Sequence, residues 1–178
     1  TTLLFFEVMS FTSYAWVAHD ETDKSLRAAN TYLAIAIIGG LVSLMGLFLI
    51  YDALGTLKIS ELYTAAQALS DKTVLYIAGG CMLFGFGAKA GMFPLHVWLP
   101  KAHPVAPAPA SALLSGILTK TGVYGVLIVS CDILRYDPSW GIAVLVFGVL
   151  TMFFGALLAL FSTDLKRTLA CSSMSQIG

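Results

Sequence analysis

Five long apolar runs dominate this chain of 178 residues and restrict the folds that it can adopt. Each is close to, or beyond, the length of about 20 apolar residues that a helix needs to cross a bilayer. The runs cover residues 1–18, 31–54, 73–100, 109–131 and 140–161. We therefore predict an all-α, polytopic transmembrane helix bundle that forms a single membrane domain over residues 1–178. The final stretch "LACSSMSQIG" is expected to open a sixth span.

Both ends of the sequence resemble the middle of a longer polypeptide. The first residue is Thr1 rather than Met, and it already lies in an apolar run. The last residues open a new segment without completing it. We expect this sequence to be an internal fragment of a longer membrane subunit.

The composition separates this chain from soluble proteins. Only 11% of its residues are charged and 58% are hydrophobic, whereas soluble domains carry roughly 25% charged residues. The net charge of zero gives no basis for nucleic-acid binding. Its three cysteines, Cys81, Cys131 and Cys171, are far apart, and the sequence contains no phosphate-binding loop or metal-ligand spacing. We therefore expect no cofactor on this chain.

Three ionisable residues lie deep inside the apolar runs: Glu7, Lys89 and Lys120. At a rise of ~1.5 Å per residue, Lys120 is roughly 16–18 Å from either end of its run. A charge at mid-membrane costs about 2.5–3.5 kcal/mol on the mildest scale. One interpretation is a static ion pair that sets helix register. We prefer a proton relay, because one acid and two bases leave a lysine unmatched.

This interpretation makes two geometric predictions. Glu7 and Lys89 should approach within salt-bridge distance, or be bridged by water, in at least one state. Lys120 should point into the bundle, toward the span that carries Lys89, because its own span contains no carboxylate.

The third run should not form a continuous helix. Pro94 has no N–H to donate to the carbonyl of Ala90, and Gly91 adds local freedom. We predict a disruption between about Lys89 and Leu95, caused by Pro94 and aided by Gly91. Such a break beside a mid-membrane charge is typical of transporters. The alternative is a simple proline kink, in which Gly85, Gly87 and Gly91 allow close helix contact and Gly87 and Gly91 form a packing motif.

Two histidines follow the break. His96 would share a face with Lys89 if the helix continued, and it could carry a proton toward the surface. His103, in a proline-rich stretch, could cap this path. The alternatives are a hydrogen-bonded packing role for His96 and a solvent-facing position for His103.

Three stretches carry a family resemblance: "FFEVMSFTSYAWVA", "GAKAGMFPLHVWLPKAHPVAPAPASALLSGILTKTGVYG" and "STDLKRTLACSSMSQIG". They resemble the antiporter-like membrane subunits of respiratory complex I, membrane-bound hydrogenases, formate hydrogenlyase and Mrp-type sodium/proton antiporters. The resemblance implies that Glu7 and Lys89 form a switchable pair, on the fifth and the broken seventh helix of the full subunit. It implies that Lys120, on the eighth helix, passes protons onward. These helices would belong to the first of two inverted repeats, and the second repeat is nearly all absent here.

The resemblance implies proton translocation within a redox-driven complex of the NADH:quinone oxidoreductase or hydrogenase type. Quinone or metal chemistry would then lie in partner subunits, and this chain would be a non-catalytic pumping subunit. The stretch "KAHPVAPAPASALLSG" favours the hydrogenase-linked branch. The alternative is an Mrp-type secondary sodium/proton antiporter subunit without a redox link. The expected partners are other membrane subunits, the lipid bilayer and protons or sodium, in a bacterial or archaeal cytoplasmic membrane.

Overall fold

The computed structural model describes residues 1–69 and 71–178, and every regular element within them is helical. The helices are α1 (Thr2–Ala18), α2 (Asp23–Leu54), α3 (Ile59–Ala68), α4 (Thr73–Ala90), α5 (Leu99–Val105), α6 (Ala108–Leu113), α7 (Thr119–Ile128), α8 (Pro138–Leu160) and α9 (Leu165–Ile177). Shorter turns adjoin them: a 3-10 turn over Leu95–Trp98 and π-helical turns over Leu114–Leu118 and Val129–Ile133. The predicted all-α bundle is confirmed.

Four helical segments are long and apolar enough to cross a membrane, and they match four of the five predicted spans. They are Asp23–Leu54, Thr73–Val105, Ala108–Ile133 and Pro138–Leu160. The remaining predicted span is the shorter apolar helix α1, whose 17 residues extend over about 26 Å. The chain is therefore an integral membrane helix bundle.

Polar caps set the helix ends, and they extend two helices beyond the apolar runs. Helix α2 begins at Asp23 rather than at the predicted Thr31, because the Thr22 side chain accepts the backbone N–H of Ser25 at 3.2 Å. Helix α9 begins at Leu165, ahead of the predicted sixth apolar segment, because Asp164 accepts the N–H of Arg167 at 3.0 Å. Hydropathy indicates the membrane portion of a helix, whereas capping residues indicate its ends.

The third predicted span is broken within the predicted range, and its helix ends directly before the glycine. Helix α4 ends at Ala90, and Gly91 adopts a left-handed conformation with φ of 77°. The N–H of Met92 then donates to the carbonyl of Gly87 at 2.8 Å. Pro94 follows this cap, after a cis peptide bond from Phe93. Pro94 lacks the N–H that would reach the Ala90 carbonyl, so both predicted residues lie at the break, and its cause stays a prediction.

Glycines allow α4 to approach its neighbours closely. A Cβ atom on Gly85 would lie 2.3 Å from the Gly39 carbonyl oxygen of α2. A Cβ atom on Gly122 of α7 would lie 2.5 Å from backbone atoms of both Phe86 and Ala90. The predicted motif of Gly87 and Gly91 does not make these contacts. The nearest atoms to a Cβ on Gly87 belong to Met92, just beyond the end of the same helix, so of the predicted packing glycines it is Gly85 that meets another helix.

Two apolar clusters form the core, at opposite ends of α2. One contains Val17, Tyr32, Trp98, Leu99 and Met174, among other residues. The other contains Ile50, Leu75, Met82, Leu134 and Trp140, among other residues. The break after α4 lies near the first cluster, where the Trp98 indole donates to the carbonyl of Ala88 at 2.8 Å. This bond satisfies a carbonyl at the end of α4 and fixes the chain that follows.

Candidate functional site

Lys89 lies in the last turn of α4 and is buried, with 2% of its surface exposed. Its Nζ donates to the Ser10 hydroxyl of α1 at 2.6 Å and to the Tyr32 hydroxyl of α2 at 2.7 Å. The Phe6 ring lies 5.4 Å from Nζ, measured to its centroid. This distance is within the range of cation–π attraction. The amine is thus surrounded by neutral groups from two other helices.

Hydrogen-bond directions explain why these hydroxyls can accept from Lys89. Ser10 donates its one hydrogen to the Phe6 carbonyl at 3.0 Å, which leaves the oxygen lone pairs for Nζ. Ser13 lies 2.6 Å from the Met9 carbonyl oxygen and 2.5 Å from the Tyr32 hydroxyl. When Ser13 donates to Met9, Tyr32 donates to Ser13, and the Tyr32 oxygen accepts from Lys89. With that arrangement, each group donates to the next in one direction, from the Lys89 amine through Tyr32 and Ser13 to the Met9 carbonyl.

Glu7 lies on α1, one helical turn before Ser10 and on the same face. Its Oε1 is buried and has no hydrogen-bond partner. The carboxylate occupies space left by Gly40 of α2, because a Cβ there would lie 2.0 Å from Oε1. Among residues 1–69 and 71–178, only Lys58 and Glu61 approach within 4.0 Å as an ion pair. The predicted contact between Glu7 and Lys89 is therefore not direct in this conformation. A water-bridged contact, or a direct one in another state, stays a prediction.

Lys120 occupies a different environment, and its predicted orientation is wrong. It is exposed, and its Nζ donates to the Ser115 carbonyl of its own helical segment at 2.6 Å. The face of α7 that packs on α4 carries Gly122 and Gly125. These glycines let the backbones of α4 and α7 come close. Because they face α4, Lys120 points away from that contact.

The exposed face around Lys120 is otherwise apolar. Ile117 is 58% exposed and Tyr124 is 60% exposed, three residues before and four residues after the lysine. Among the described residues, no carboxylate lies within 4.0 Å of Lys120, which is thus a cation on a mainly apolar helix face.

The two histidines, His96 and His103, have different contacts. Because α4 ends at Ala90, His96 does not share a continuous helix face with Lys89, so that premise is wrong. Its ring stacks on Phe93 with centroids 5.5 Å apart, and its Nδ1 is buried without a partner. His103 is 3% exposed, which contradicts the solvent-facing alternative. Its Nδ1 lies 2.7 Å from the Ser111 hydroxyl, and its Nε2 is buried without a partner.

An open cavity of about 360 Å³ adjoins His103. Ser115, Ser173 and Lys166 also line it. Ser115 connects this cavity to Lys120, because its carbonyl accepts the lysine and its hydroxyl lies 2.8 Å from that of Ser173. The structure therefore brings His103 and the Lys120 segment to one cavity, whose mainly apolar wall also carries hydroxyl groups.

Sequence reasoning missed three residues of the Lys89 site: Ser10, Ser13 and Tyr32. The serines had a usable signal, since they follow Glu7 at helical spacing on one face of α1. For Tyr32 there was no signal in the sequence, because aromatic residues are common in apolar runs. Across the described part of the chain, no group of three or more His, Cys, Asp or Glu side chains could hold a metal ion. The expectation of no cofactor stays a prediction.

Comparison with known proteins identifies relatives along the whole sequence. The family model described as "NADH:quinone oxidoreductase/Mrp antiporter, TM" matches residues 1–178. The chain is 36% identical over 179 residues to a hydrogenase-4 component of Escherichia coli (strain K12), covering 99% of this chain and 26% of that protein. It is 35% identical over 176 residues to a Na(+)/H(+) antiporter subunit of Alkalihalophilus pseudofirmus, covering 98% of this chain and 36% of that protein.

The fold has a close match among solved structures. A chain in the Mrp complex from Dietzia sp. superimposes with a TM-score of 0.88 at 28% identity, over 98% of this chain and 33% of that one. The sequence thus spans about a quarter to a third of the length of these relatives. The family match extends over the buried lysine, the broken span and the exposed lysine alike. The chain belongs to the transmembrane family shared by NADH:quinone oxidoreductases and Mrp antiporters.

Proposed function

We propose that this chain translocates protons across the membrane as a subunit of a redox-driven complex. The observation that carries the proposal is Lys89, which is buried among neutral hydrogen-bond acceptors while the carboxylate of Glu7 lies one turn from its Ser10 partner. An ammonium without a counterion is costly inside a membrane, and a nearby carboxylate stabilises it. Movement of Lys89 between these surroundings would therefore favour proton uptake near Glu7 and release away from it.

The onward path in this proposal runs through the cavity beside His103. Lys120 hydrogen-bonds to Ser115, which lines this cavity together with His103. His103 has a free ring nitrogen, and so does His96 after the break. We assign Glu7, Lys89 and Lys120 as the principal proton carriers and the two histidines as intermediate carriers. Gly91, which ends α4, places Lys89 beside the break.

The Lys120 face supports a multi-subunit assembly. A lysine turned to lipid at mid-membrane would cost about 2.5–3.5 kcal/mol, and the apolar residues around it offer no compensation. We propose that further protein, from other membrane subunits or from more of the same polypeptide, covers this face. Other apolar faces would contact lipid in a bacterial or archaeal cytoplasmic membrane. Similarity to a hydrogenase component favours a redox link, with its cofactors in partner subunits.

An Mrp-type secondary sodium/proton antiporter subunit is the second candidate. Its support is the 35% identity to an antiporter subunit and the TM-score of 0.88 to a chain of an Mrp complex. Sodium transport measured in vesicles without an electron donor distinguishes the two. Electron-donor-dependent proton uptake favours the redox-linked subunit, whereas donor-independent sodium/proton exchange favours the antiporter.

Lys120→Met tests the relay in the intact protein in everted membrane vesicles. We expect proton uptake to stop while the protein still inserts and assembles, because removal of a mid-membrane charge does not hinder insertion. Lys101→Met, a change of another exposed lysine, is the control and should retain uptake. Wild-type uptake by Lys120→Met would refute its relay role, and failed assembly would indicate a structural role instead.

A further inference from the structure

Tyr32 is a fully enclosed polar residue beside Lys89, and proton translocation by the charged residues alone gives it no role. It is 1% exposed, its ring lies 4.9 Å from that of Trp98, and its hydroxyl contacts both Ser13 and Lys89. Packing accounts for the ring. It does not account for a hydroxyl that is aimed at a buried amine and supported from behind by a serine.

Two holding positions for the Lys89 amine meet on one face of α1, where Ser10 belongs to the first and Glu7 is the second. Ser10 and Tyr32 hold the amine now, whereas Glu7 lies one turn earlier on the same helix face. The Oε1 of Glu7 is buried and unpartnered, so it is an acceptor without a donor. The four-carbon stem of lysine is flexible, and rotation about its bonds can move Nζ from one position to the other.

The two positions differ in chemistry. The hydroxyls of Ser10 and Tyr32 are neutral acceptors, and two acceptors suit the two N–H groups of a neutral amine as well as an ammonium. The ionised carboxylate of Glu7 is negative and therefore stabilises the protonated form of Lys89, the ammonium. Exchange between the positions is thus linked to the charge on Lys89.

We propose that Tyr32 and Ser10 form a second holding position for Lys89 that competes with Glu7. Tyr32 is a positioning residue that acts through Lys89 and carries no proton itself. Its hydroxyl keeps the amine off the carboxylate and sets how often the Glu7–Lys89 contact forms. This inference rests on the proposed function for its purpose, but the competition itself can be measured without transport.

The test is labelling of Glu7 by dicyclohexylcarbodiimide, a membrane-permeant reagent that attacks protonated carboxyls in apolar surroundings. The intact protein is labelled in native membranes, and modification of Glu7 is quantified by peptide mass spectrometry. Tyr32→Phe removes the hydroxyl and keeps the ring. Loss of one hydrogen bond to a charged group shifts the balance toward Glu7 by about tenfold, equivalent to about 1.4 kcal/mol. We expect Glu7 labelling to fall about two- to tenfold, because the ammonium then keeps the carboxyl ionised.

Three comparisons isolate this effect. Tyr14→Phe removes a hydroxyl that also joins α1 to α2, through Asn30 at 3.2 Å, and should leave labelling unchanged. Ser10→Ala should lower labelling in the same direction, and Ser10→Thr, which keeps a hydroxyl, should restore it. In a Lys89→Met background, Tyr32→Phe should have no effect on labelling, because the competing amine is gone.

The proposal is overturned if both Tyr32→Phe and Ser10→Ala label like wild type. It is equally overturned if Tyr14→Phe lowers labelling as much as Tyr32→Phe, or if Tyr32→Phe still lowers it in the Lys89→Met background. If Tyr32→Phe does not accumulate, Ser10→Ala with its threonine counterpart decides the question. Wild-type proton uptake by Lys89→Met, together with the expected labelling changes, would refute the proposed function and leave this inference standing.

Discussion

Lys89 and Lys120 are both lysines within membrane-spanning segments, yet the fold treats them in opposite ways. Lys89 is 2% exposed and hydrogen-bonds to side chains of two other helices. Lys120 is exposed and hydrogen-bonds only to a backbone carbonyl of its own segment. Depth along the helix therefore does not determine the surroundings of a charge. Its surroundings are determined by the helix face that carries it and by the groups that pack against that face.

Close helix packing produces this difference. Helix α4 lies between α2 and α7, and glycines on all three helices bring the backbones together. Lys89 falls on the part of α4 that faces α1 and α2, so hydroxyls can surround it. Helix α7 turns Gly122 and Gly125 toward α4, and that orientation leaves Lys120 outside the contact.

The largest expected effect follows from separating the helices that carry the two lysines. Gly122→Ala would place a Cβ 2.5 Å from backbone atoms of α4, which cannot rotate away. We expect the protein to be destabilised by about 3 kcal/mol, the upper end of the range for overpacking substitutions. The positions of the two lysines relative to each other should change as well. Thermal unfolding of the detergent-solubilised protein measures it. Gly116→Ala, where no atom lies within 4 Å, is the control on the same span. Equal stability of the two variants would show that α4 and α7 are not in close contact.

Arginine in place of each lysine tests the difference in enclosure directly. Lys89→Arg must fit a larger, planar group among Ser10, Tyr32 and Phe6, and we expect a loss of about 1–3 kcal/mol in stability. Lys120→Arg keeps the charge at a position that hydrogen-bonds only within its own helical segment, and it should cost less than Lys89→Arg, about 1 kcal/mol or less. The same unfolding measurement applies to both. Similar losses for the two variants would show that the protein covering the Lys120 face encloses it as tightly as Ser10, Tyr32 and Phe6 enclose Lys89.

Gly40→Ala moves the carboxylate of Glu7 without removing a charge. The new Cβ would overlap Oε1, so the flexible end of Glu7 must rotate away. We expect a modest cost of about 1 kcal/mol and a fall in proton uptake, because the carboxylate leaves its place near Ser10. Gly80→Ala, with open space around it, should preserve uptake. Unchanged uptake in Gly40→Ala would show that the observed position of Glu7 does not matter for transport.

The smallest effect is expected at the Lys120 end. Ser115→Ala removes the hydroxyl that contacts Ser173 but keeps the carbonyl that accepts Lys120. We expect a loss of about 1 kcal/mol or less, as for a single neutral hydrogen bond. Ser173→Ala should cost about the same, and the double variant no more than either alone, since one bond is shared. A strictly additive double variant would argue against that bond.

Local features of the structure could be predicted well from the sequence. Hydropathy placed four membrane-spanning segments and the shorter α1 correctly, because run length is a property of neighbouring residues. The break after Lys89 was also predictable, since Gly91 and Pro94 act on the backbone beside them. The structure adds that the helix ends at Ala90, with Gly91 in the left-handed region.

The partners of each charge could not be predicted. Lys89 bonds to Ser10 and Tyr32, which are 79 and 57 residues away in the sequence. Those contacts depend on how α1, α2 and α4 are rotated about their own axes, and apolar composition around a helix leaves that rotation nearly undetermined. The sequence by itself determined that this chain spans the membrane, that one span breaks beside a lysine, and that three ionisable residues lie within its apolar runs. Only the tertiary structure decided that Lys89 is enclosed, that Lys120 is exposed and that Glu7 lies apart from its expected partner. The reason is that glycine contacts between distant helices select which face of each helix turns inward.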